Sequence, residues 1–399
     1  MNVNARRELT VGEAARRLGV KPPTLYAYVS RGVLRSRRAP DGRTSLFDAD
    51  DIEALARRGR PRRSSRTAAL DIVIETSLTT IEHERLRFRG HDAVRLARRH
   101  TFEEVASLLW SGELVPSGET WAPVPVDVPD RGGVLDRLTW ATQVAATSDP
   151  DRRSRDVAAV GRRLIPAMVD ALAPAGDGRV PELRLPDRER LRGTVAGRLW
   201  SRLAPGRPPS GAIRALNGAL VALADHELAA STLAVRVAAS TRADPYAAVS
   251  AGLATVSGPY HGKASAVVRR VLDRARATSS DAALLEAYER DGVYAGFGHF
   301  LYERGDPRAA VVLDLVRDAW PSSPKLAHVE SLITAARRRG VLPNVDLGLA
   351  ALGHVSGMDV HAGDAIFAIA RTAGWLAHAA EEYAEPVLRF CPRAQPREA

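Results

Sequence analysis

GFGHFLYERGDPRA (Gly296–Ala309) and, upstream of it, GPYHGKA (Gly258–Ala264) are the two runs on which the reading of this chain turns. Each sets a histidine, His299 or His261, after a tight glycine-containing turn. The longer run continues to Asp306-Pro307-Arg308, and PNVD (Pro343–Asp346) lies beyond it, with a carboxylate beside a Pro-Asn turn. Two imidazoles, one carboxylate and a fixed arginine form a kit for carbon–carbon bond chemistry at a carbonyl. The histidines stand singly, without the spacing of a metal-ligand set, so no metal site is expected. No glycine-rich phosphate loop occurs either, since Lys263, beside a glycine turn, follows a histidine.

Around these runs the chain reads as helices joined by short Gly/Pro turns, so the body is expected to be all-α. Leu135–Leu172 reads as a helical stretch between two Pro/Gly-rich patches, and Ala212–Ala239 as another. Thr101-Phe-Glu-Glu104 is a capping box, with Phe102, Val105, Ala106 and Leu109 on its buried stripe. At 399 residues two or three folding units are expected. The single cysteine, Cys391, excludes an internal disulfide and suits a reducing cytoplasm. The opening residues, MNVNARRELT, lack the apolar core of a secretory leader. Ala362–Ala380, the nearest approach to a membrane span, is interrupted by Asp364, Arg371 and His378.

Charge divides the chain. Residues 1–67 hold 16 Lys/Arg against 7 Asp/Glu, a net +9, while the whole chain is +10. A basic module ahead of a near-neutral body suits a DNA-binding appendage; a solvated basic tail would share that charge. Thr10-Val-Gly-Glu13 is a second capping box, opening a helix with Val11, Ala14, Ala15 and Leu18 on one stripe. A second helix is expected over Pro23–Val29, a hairpin over Leu34–Arg38 and Thr44–Phe47, and a third helix after Asp48. That order is a winged helix-turn-helix, and EAARRLGVKPPTLYAYVSRGVL resembles the MerR/excisionase group. In that reading Lys21, Thr24, Tyr26 and Tyr28 face the major groove, while Arg35, Arg37, Arg38 and Arg43 meet phosphate. Leu25 and Val29 belong to the core. The alternative is a small domain that packs without reading DNA. Residues 57–67, with six arginines in the ten from Arg57 to Arg66, read as a linker.

From about residue 70 onward the motifs resemble the citrate synthase family: RFRG…TFEEVASLLWSGEL, DHELAAST, GPYHGKA, GFGHF…DPRA, PNVD and IFAIARTAGWLAH. The resemblance implies the citrate synthase fold, a large helical domain (68–263 with 354–399) framing a small one (264–353), behind the winged helix-turn-helix domain (1–56). It implies a homodimer that condenses acetyl-CoA with oxaloacetate and then hydrolyses the thioester. Asp346 matches the base that takes the methyl proton, His261 the donor to the thioester oxygen, and His299 the donor to the oxaloacetate carbonyl. His226, Arg308 and Arg371 match the dicarboxylate clamp. Acetyl-CoA is then a co-substrate, with no permanently bound cofactor.

Three departures qualify that match. Lys263 stands where a glycine is usual, placed to meet a CoA phosphate or to point into solvent. Phe300 and Glu303 replace basic residues after the second histidine. Cys391 replaces the first arginine of a C-terminal Arg-Pro-Arg that reaches the partner subunit, leaving Arg389 or Arg393 as substitutes. Two readings follow: a synthase using acetyl-CoA or propionyl-CoA, and a transcriptional regulator whose synthase-like body senses an acyl-CoA or dicarboxylate.

Overall fold

The computed structural model describes residues 8–18, 20, 25, 28, 29, 34, 36–39, 45–49, 51, 52, 55, 73–116, 118–175, 193–258, 261 and 264–390. Two hydrophobic cores form, one within residues 9–55 and one within the body. Lys21, Thr24, Tyr26, Arg35, Arg43, Lys263, Cys391, Arg393 and the linker 57–67 lie outside the described residues.

In the N-terminal module β1 (Glu8–Thr10) leads into α1 (Val11–Arg17), and β2 (Ser36–Arg38) pairs with β3 (Ser45–Asp48). The expected capping box is present: Glu13 N–H donates to Thr10 Oγ1, and Thr10 N–H to Glu13 Oε2 at 2.9 Å. The expected hairpin is antiparallel, with Ser36 opposite Phe47. It gains an unanticipated third strand, because β1 pairs with the other edge of β3. Ala14, Leu25, Tyr28, Leu34, Phe47, Ile52 and Leu55 make the core, with Val29 packed against it. Tyr28 is therefore corrected: it lies three residues from Leu25, on the same helical face, and is 5% exposed, so it packs inward and does not face a groove. Arg37 is exposed on β2, and Arg38 ends that strand.

The body opens with a feature that the all-helical expectation lacked, a small antiparallel sheet of β4 (Thr79–Glu82), β5 (Arg85–Phe88) and β6 (His91–Asp92). The helical period cannot be seen there because the segment alternates, with Leu86 and Phe88 buried and their neighbours outward. Then come α2 (Ala93–Arg99), α3 (Phe102–Ser111), α4 (Val134–Thr147), α5 (Val157–Asp170), α6 (Val195–Leu203) and α7 (Ala212–Leu223). They are followed by α8 (Ala230–Ser240), α9 (Pro245–Val256), α10 (Ala264–Ala277) and α11 (Ser280–Asp291). The last four are α12 (Pro307–Ala319), α13 (Pro324–Arg337), α14 (Val345–Ser356) and α15 (Ala362–Ala384). The expected capping box of α3 is present and its stripe is buried. The stretch Leu135–Leu172 is two helices, broken around Asp149-Pro150, where proline disfavours helix in the residue before it. Ala212–Ala239 is likewise two helices, and the break between them carries His226.

The body is arranged about α15, 23 residues long and buried on nearly every side against α3, α5, α7, α8 and α9. A helix that is apolar all round belongs in a core, and its Ala/Gly content lets neighbours come close. Gly374 is the tightest case: a Cβ there would stand 2.4 Å from Ala224 O and 2.6 Å from Asp225 Oδ1. That contact seats the loop 224–229 on α15. No helix among the described residues is long and apolar enough to cross a membrane.

Candidate active site

The loop carrying Gly296–Ala309 and the loop carrying Pro343–Asp346 are zipped together. Phe297 bridges Pro343, Asn344 N–H donates to Gly296 O at 2.9 Å, and Gly298 N–H donates to Leu342 O at 2.8 Å. Gly296 sits at φ 83 with Val268 too close for a Cβ, so glycine alone fits that turn. Asp306 joins the same loops by a second route. It caps α12, holds Arg308 through Nε at 2.9 Å and Nη2 at 2.8 Å, and accepts Val345 N–H at 3.0 Å. His299, Arg308 and Asp346 are thus fixed on one frame.

His226 reaches that frame from the loop after α7. Its Nε2 lies 2.9 Å from Tyr302 Oη, and its ring meets His299 edge-on at 5.3 Å. Burial first, then Arg308, Arg371 and His299, push the His226 imidazole far below its usual range, so it is neutral. Arg308 lies over the Tyr302 ring at 5.9 Å. Arg371, 2% exposed on α15, donates Nε to Leu223 O at 2.9 Å and lies over Phe367 at 4.9 Å. Burial, aided by Arg308 and opposed by Asp225, lowers Arg371 to about 10. Among the described residues no carboxylate pairs directly with it. Both buried arginines act on His226; Arg308 has the paired carboxylate Asp306, while Arg371 has only the field of Asp225.

His261 stands across Phe367, with ring centroids 6.0 Å apart. Its Nε2 accepts Ser231 N–H at 3.3 Å and lies 2.8 Å from Ser231 Oγ. A backbone N–H can only donate, so Nε2 is bare and the ring proton belongs on Nδ1. Trp375 Nε1–H donates to Ser231 Oγ at 3.3 Å, which leaves the hydroxyl proton for the same Nε2. His299 is set the other way: Leu301 N–H donates to its Nδ1 at 3.2 Å, so Nε2 carries the proton. Burial lowers both imidazoles, assisted by Arg371 at His261 and by Arg308 at His299. Both rings are neutral donors. Asp346, half-buried in the first turn of α14, is raised to about 6 by burial, with Asp306 and Asp364 adding to the rise and Arg308 opposing it.

The structure therefore gathers all six body residues that the motifs single out. His226, His299 and Arg308 touch one another or Tyr302; Arg371 and His261 share Phe367; Asp346 rides on the His299 frame. Sequence reasoning missed Ser231, Tyr302 and Phe367, although each lies inside a quoted motif. It also offered Arg389 as a clamp toward a partner subunit. Within its own chain Arg389 donates to Glu382, at 2.7 and 2.6 Å. Phe300, in a usually basic position, stacks on His299 at 5.0 Å and is 88% exposed.

Residues 70–390 match the family model "Citrate synthase, C-terminal domain", and residues 8–60 match "Helix-turn-helix domain". A citrate synthase of Haloferax volcanii is 30% identical, covering 81% of this chain and 93% of that protein. Citrate synthase 2 of Bacillus subtilis is 27% identical (79% and 92% covered), and 2-methylcitrate synthase 2 of Corynebacterium glutamicum 29% (76% and 86%). The fold is shared with citrate synthase of Thermotoga maritima, at a TM-score of 0.64 and 22% identity over 84% of this chain and 96% of that one. From residue 70 to 390 the chain belongs to the citrate synthase family, and it bears a helix-turn-helix domain in front.

Proposed function

We propose that this protein condenses an acyl-CoA with oxaloacetate and releases CoA, with acetyl-CoA, giving citrate, as first substrate and propionyl-CoA, giving 2-methylcitrate, as second. The observation that carries this reading is the buried pair Arg308 and Arg371, of which Arg371 lacks a carboxylate partner among the described residues, facing neutral His226. A dicarboxylate supplies the missing charge, held by planar guanidinium donors. The Asp346 carboxylate takes a proton from the acyl α-carbon, and the electron pair moves to the thioester oxygen, which His261 Nδ1–H stabilises. The enol carbon attacks the keto carbon, whose oxygen takes the proton from His299 Nε2. Water then cleaves the thioester and CoA leaves as the thiol. Raising Asp346 toward 6 strengthens the base while leaving it ionised at neutral pH.

Large (68–263 with 354–399) and small (264–353) domains closing on the substrate, a homodimer and a cytoplasmic setting complete the proposal. Thiol release by the purified protein, with and without oxaloacetate and with either acyl-CoA, tests it. Release that depends on oxaloacetate and falls about 10²–10⁴-fold in Asp346→Asn is expected. In wild type, kcat/KM should fall below about pH 6 as Asp346 takes up a proton. Undiminished turnover in Asp346→Asn would refute the assignment.

A second reading rests on the helix-turn-helix domain and the net +9 of residues 1–67. In it the body senses an acyl-CoA or dicarboxylate and the module binds DNA, two copies meeting a two-fold site. Operator binding that shifts with oxaloacetate supports it. Binding without sequence preference that salt abolishes counts against it, since arginine charge alone gives that.

A further inference from the structure

The tip of the β4–β5 hairpin and the loop carrying His299 meet through one carboxylate. Glu84 Oε1 accepts the N–H groups of both Glu303 and Arg304, the latter at 2.9 Å, and Glu84 Oε2 stands 3.8 Å from Arg304 Nε. These two amides lie between His299 and the Asp306–Arg308 pair. They directly follow Tyr302, whose hydroxyl holds His226 and whose N–H donates to His299 O at 3.2 Å. A grip on residues 303 and 304 is therefore a grip on the segment that presents His299 and Arg308.

The turn that delivers Glu84 is strained. His83 and Glu84 have φ of 50 and 64, left-handed positions that Asn-Gly fills at little cost. A glutamate there weakens the hairpin and supplies the carboxylate that reaches the loop. Strain held at such a place is an observation that asks for a function. In the proposed domain division Glu84 belongs to the large domain and residues 303 and 304 to the small one, so these hydrogen bonds cross the cleft.

We infer that Glu84 is a positioning residue, a latch that fastens the loop 299–308 in the closed form of the site. It touches no substrate and acts through the two amides, to which a carboxylate bonds about twice as strongly as a neutral acceptor. The kinetic part of this inference rests on the proposed condensation; the structural part does not.

The test uses the full chain with Glu84→Gln and Glu84→Gly, in two measurements. Limited trypsin digestion, with cleavage after Arg304 followed by mass spectrometry, reports opening of the loop without any turnover. The Arg304 side chain is 93% exposed, so backbone restraint and not access of the side chain governs that cut. In both variants cleavage should quicken about fivefold or more, and oxaloacetate should slow it in wild type and protect less in the variants. In steady state the KM for oxaloacetate should rise about tenfold, with the KM for the acyl-CoA within about twofold. Glu84→Gly also relieves the turn, so it should unfold at or above the temperature of Glu84→Gln while its loop is as open. Equal cleavage in wild type and Glu84→Gln overturns the latch, as does a Glu84→Gly protein that keeps wild-type protection. Wild type that releases no thiol refutes the condensation instead, and the cleavage rates without ligand then decide the latch alone.

Discussion

Arg236 on α8 and Arg371 on α15 are both buried in the same body, 0% and 2% exposed, and they are held in opposite ways. Arg236 donates to Glu382 at 3.0 Å, and through Nη1 to Glu381 and to His378 Nδ1, both at 2.8 Å. His378 passes the link on to Asp225 at 3.3 Å, which also accepts Thr79 Oγ1–H. Burial alone would raise Asp225, yet His378 and Arg371 outweigh it and hold its carboxyl below the usual range. Glu381 in turn accepts Thr76 Oγ1–H and the N–H and hydroxyl of Ser77, tying α8, α15 and the segment before β4 together. Arg371 has none of this. The one hydrogen bond it makes among the described residues is to a carbonyl; Asp225 attracts it only through space, and Arg308 repels it. A compensated charge holds the fold. One without a hydrogen-bonded carboxylate, kept despite its desolvation cost, is the one the proposed dicarboxylate would complete.

The sharpest way to break that contrast is Arg371→Leu. It removes the cation that the proposed condensation assigns to the dicarboxylate, so kcat/KM for oxaloacetate should fall about 10³-fold, the cost of a lost charged hydrogen-bonding partner in a dry site. Its unfolding temperature should match or exceed that of wild type, because a buried charge with no hydrogen-bonded carboxylate goes with it while Asp225 keeps His378 and Thr79. Thiol-release kinetics and thermal unfolding on one preparation check both halves. A large loss of stability would mean that Arg371 holds the fold as Arg236 does.

Arg236→Met is the converse. Glu381 keeps its hydroxyl donors and Glu382 keeps Arg389, but both lose their buried cation. About 3–5 kcal/mol of stability should go, measured by chemical denaturation. Turnover per folded molecule should fall by less than about tenfold, since His378 and Asp225 reach His226 only through the backbone beside it. If activity collapses while stability stands, the two arginines do not differ in kind.

How much of this division shows in the chain itself depends on what sets each residue's place. The capping boxes at Thr10 and Thr101 are local, four residues long, and are read directly. So are the turns around His261, His299 and Asp346, since glycine and proline fix them without help from elsewhere. The β4–β5–β6 sheet was missed because two-residue alternation over four-residue strands is brief against the helical pattern around it. Tyr28 was misplaced because an aromatic with a polar tip suits a groove or a core, and only its packing with Leu25 and Phe47 decides. The tautomers of His261 and His299 depend on Ser231 and Leu301, one of them 30 residues away, and no spacing rule connects an imidazole with the amide that faces it. Arg236 and Arg371 look alike in sequence for the same reason: each stands in an alanine-rich helix, and their partners come from other elements.

Glu103 on α3 tests where the line between the two kinds of charge falls. It is 0% exposed; Oε1 accepts Val195 N–H at 2.7 Å, capping α6, while Oε2 has no hydrogen-bond partner among the described residues. Burial raises it to about 7, with Val195 opposing and Glu104 and Glu119 adding to the rise. Its partnership is thus half of Arg236's, yet it lies outside the site, where no ligand completes it. Because the folded pKa lies above the unfolded one, the folded chain binds the extra proton. The stability this lends is fully present below about pH 4.5 and is lost as pH rises through about 7. Glu103→Gln keeps the acceptor for Val195 and cannot ionise. The fall in stability between pH 5 and pH 8 should therefore shrink by about 1–3 kcal/mol, read from denaturation curves at the two pH values. Activity at pH 8 should stay within about twofold of wild type, because the group faces α6 and not the clamp. An unchanged pH slope would mean that Glu103 stays ionised in the folded chain, and that one backbone amide compensates a buried carboxylate here as fully as two carboxylates compensate Arg236.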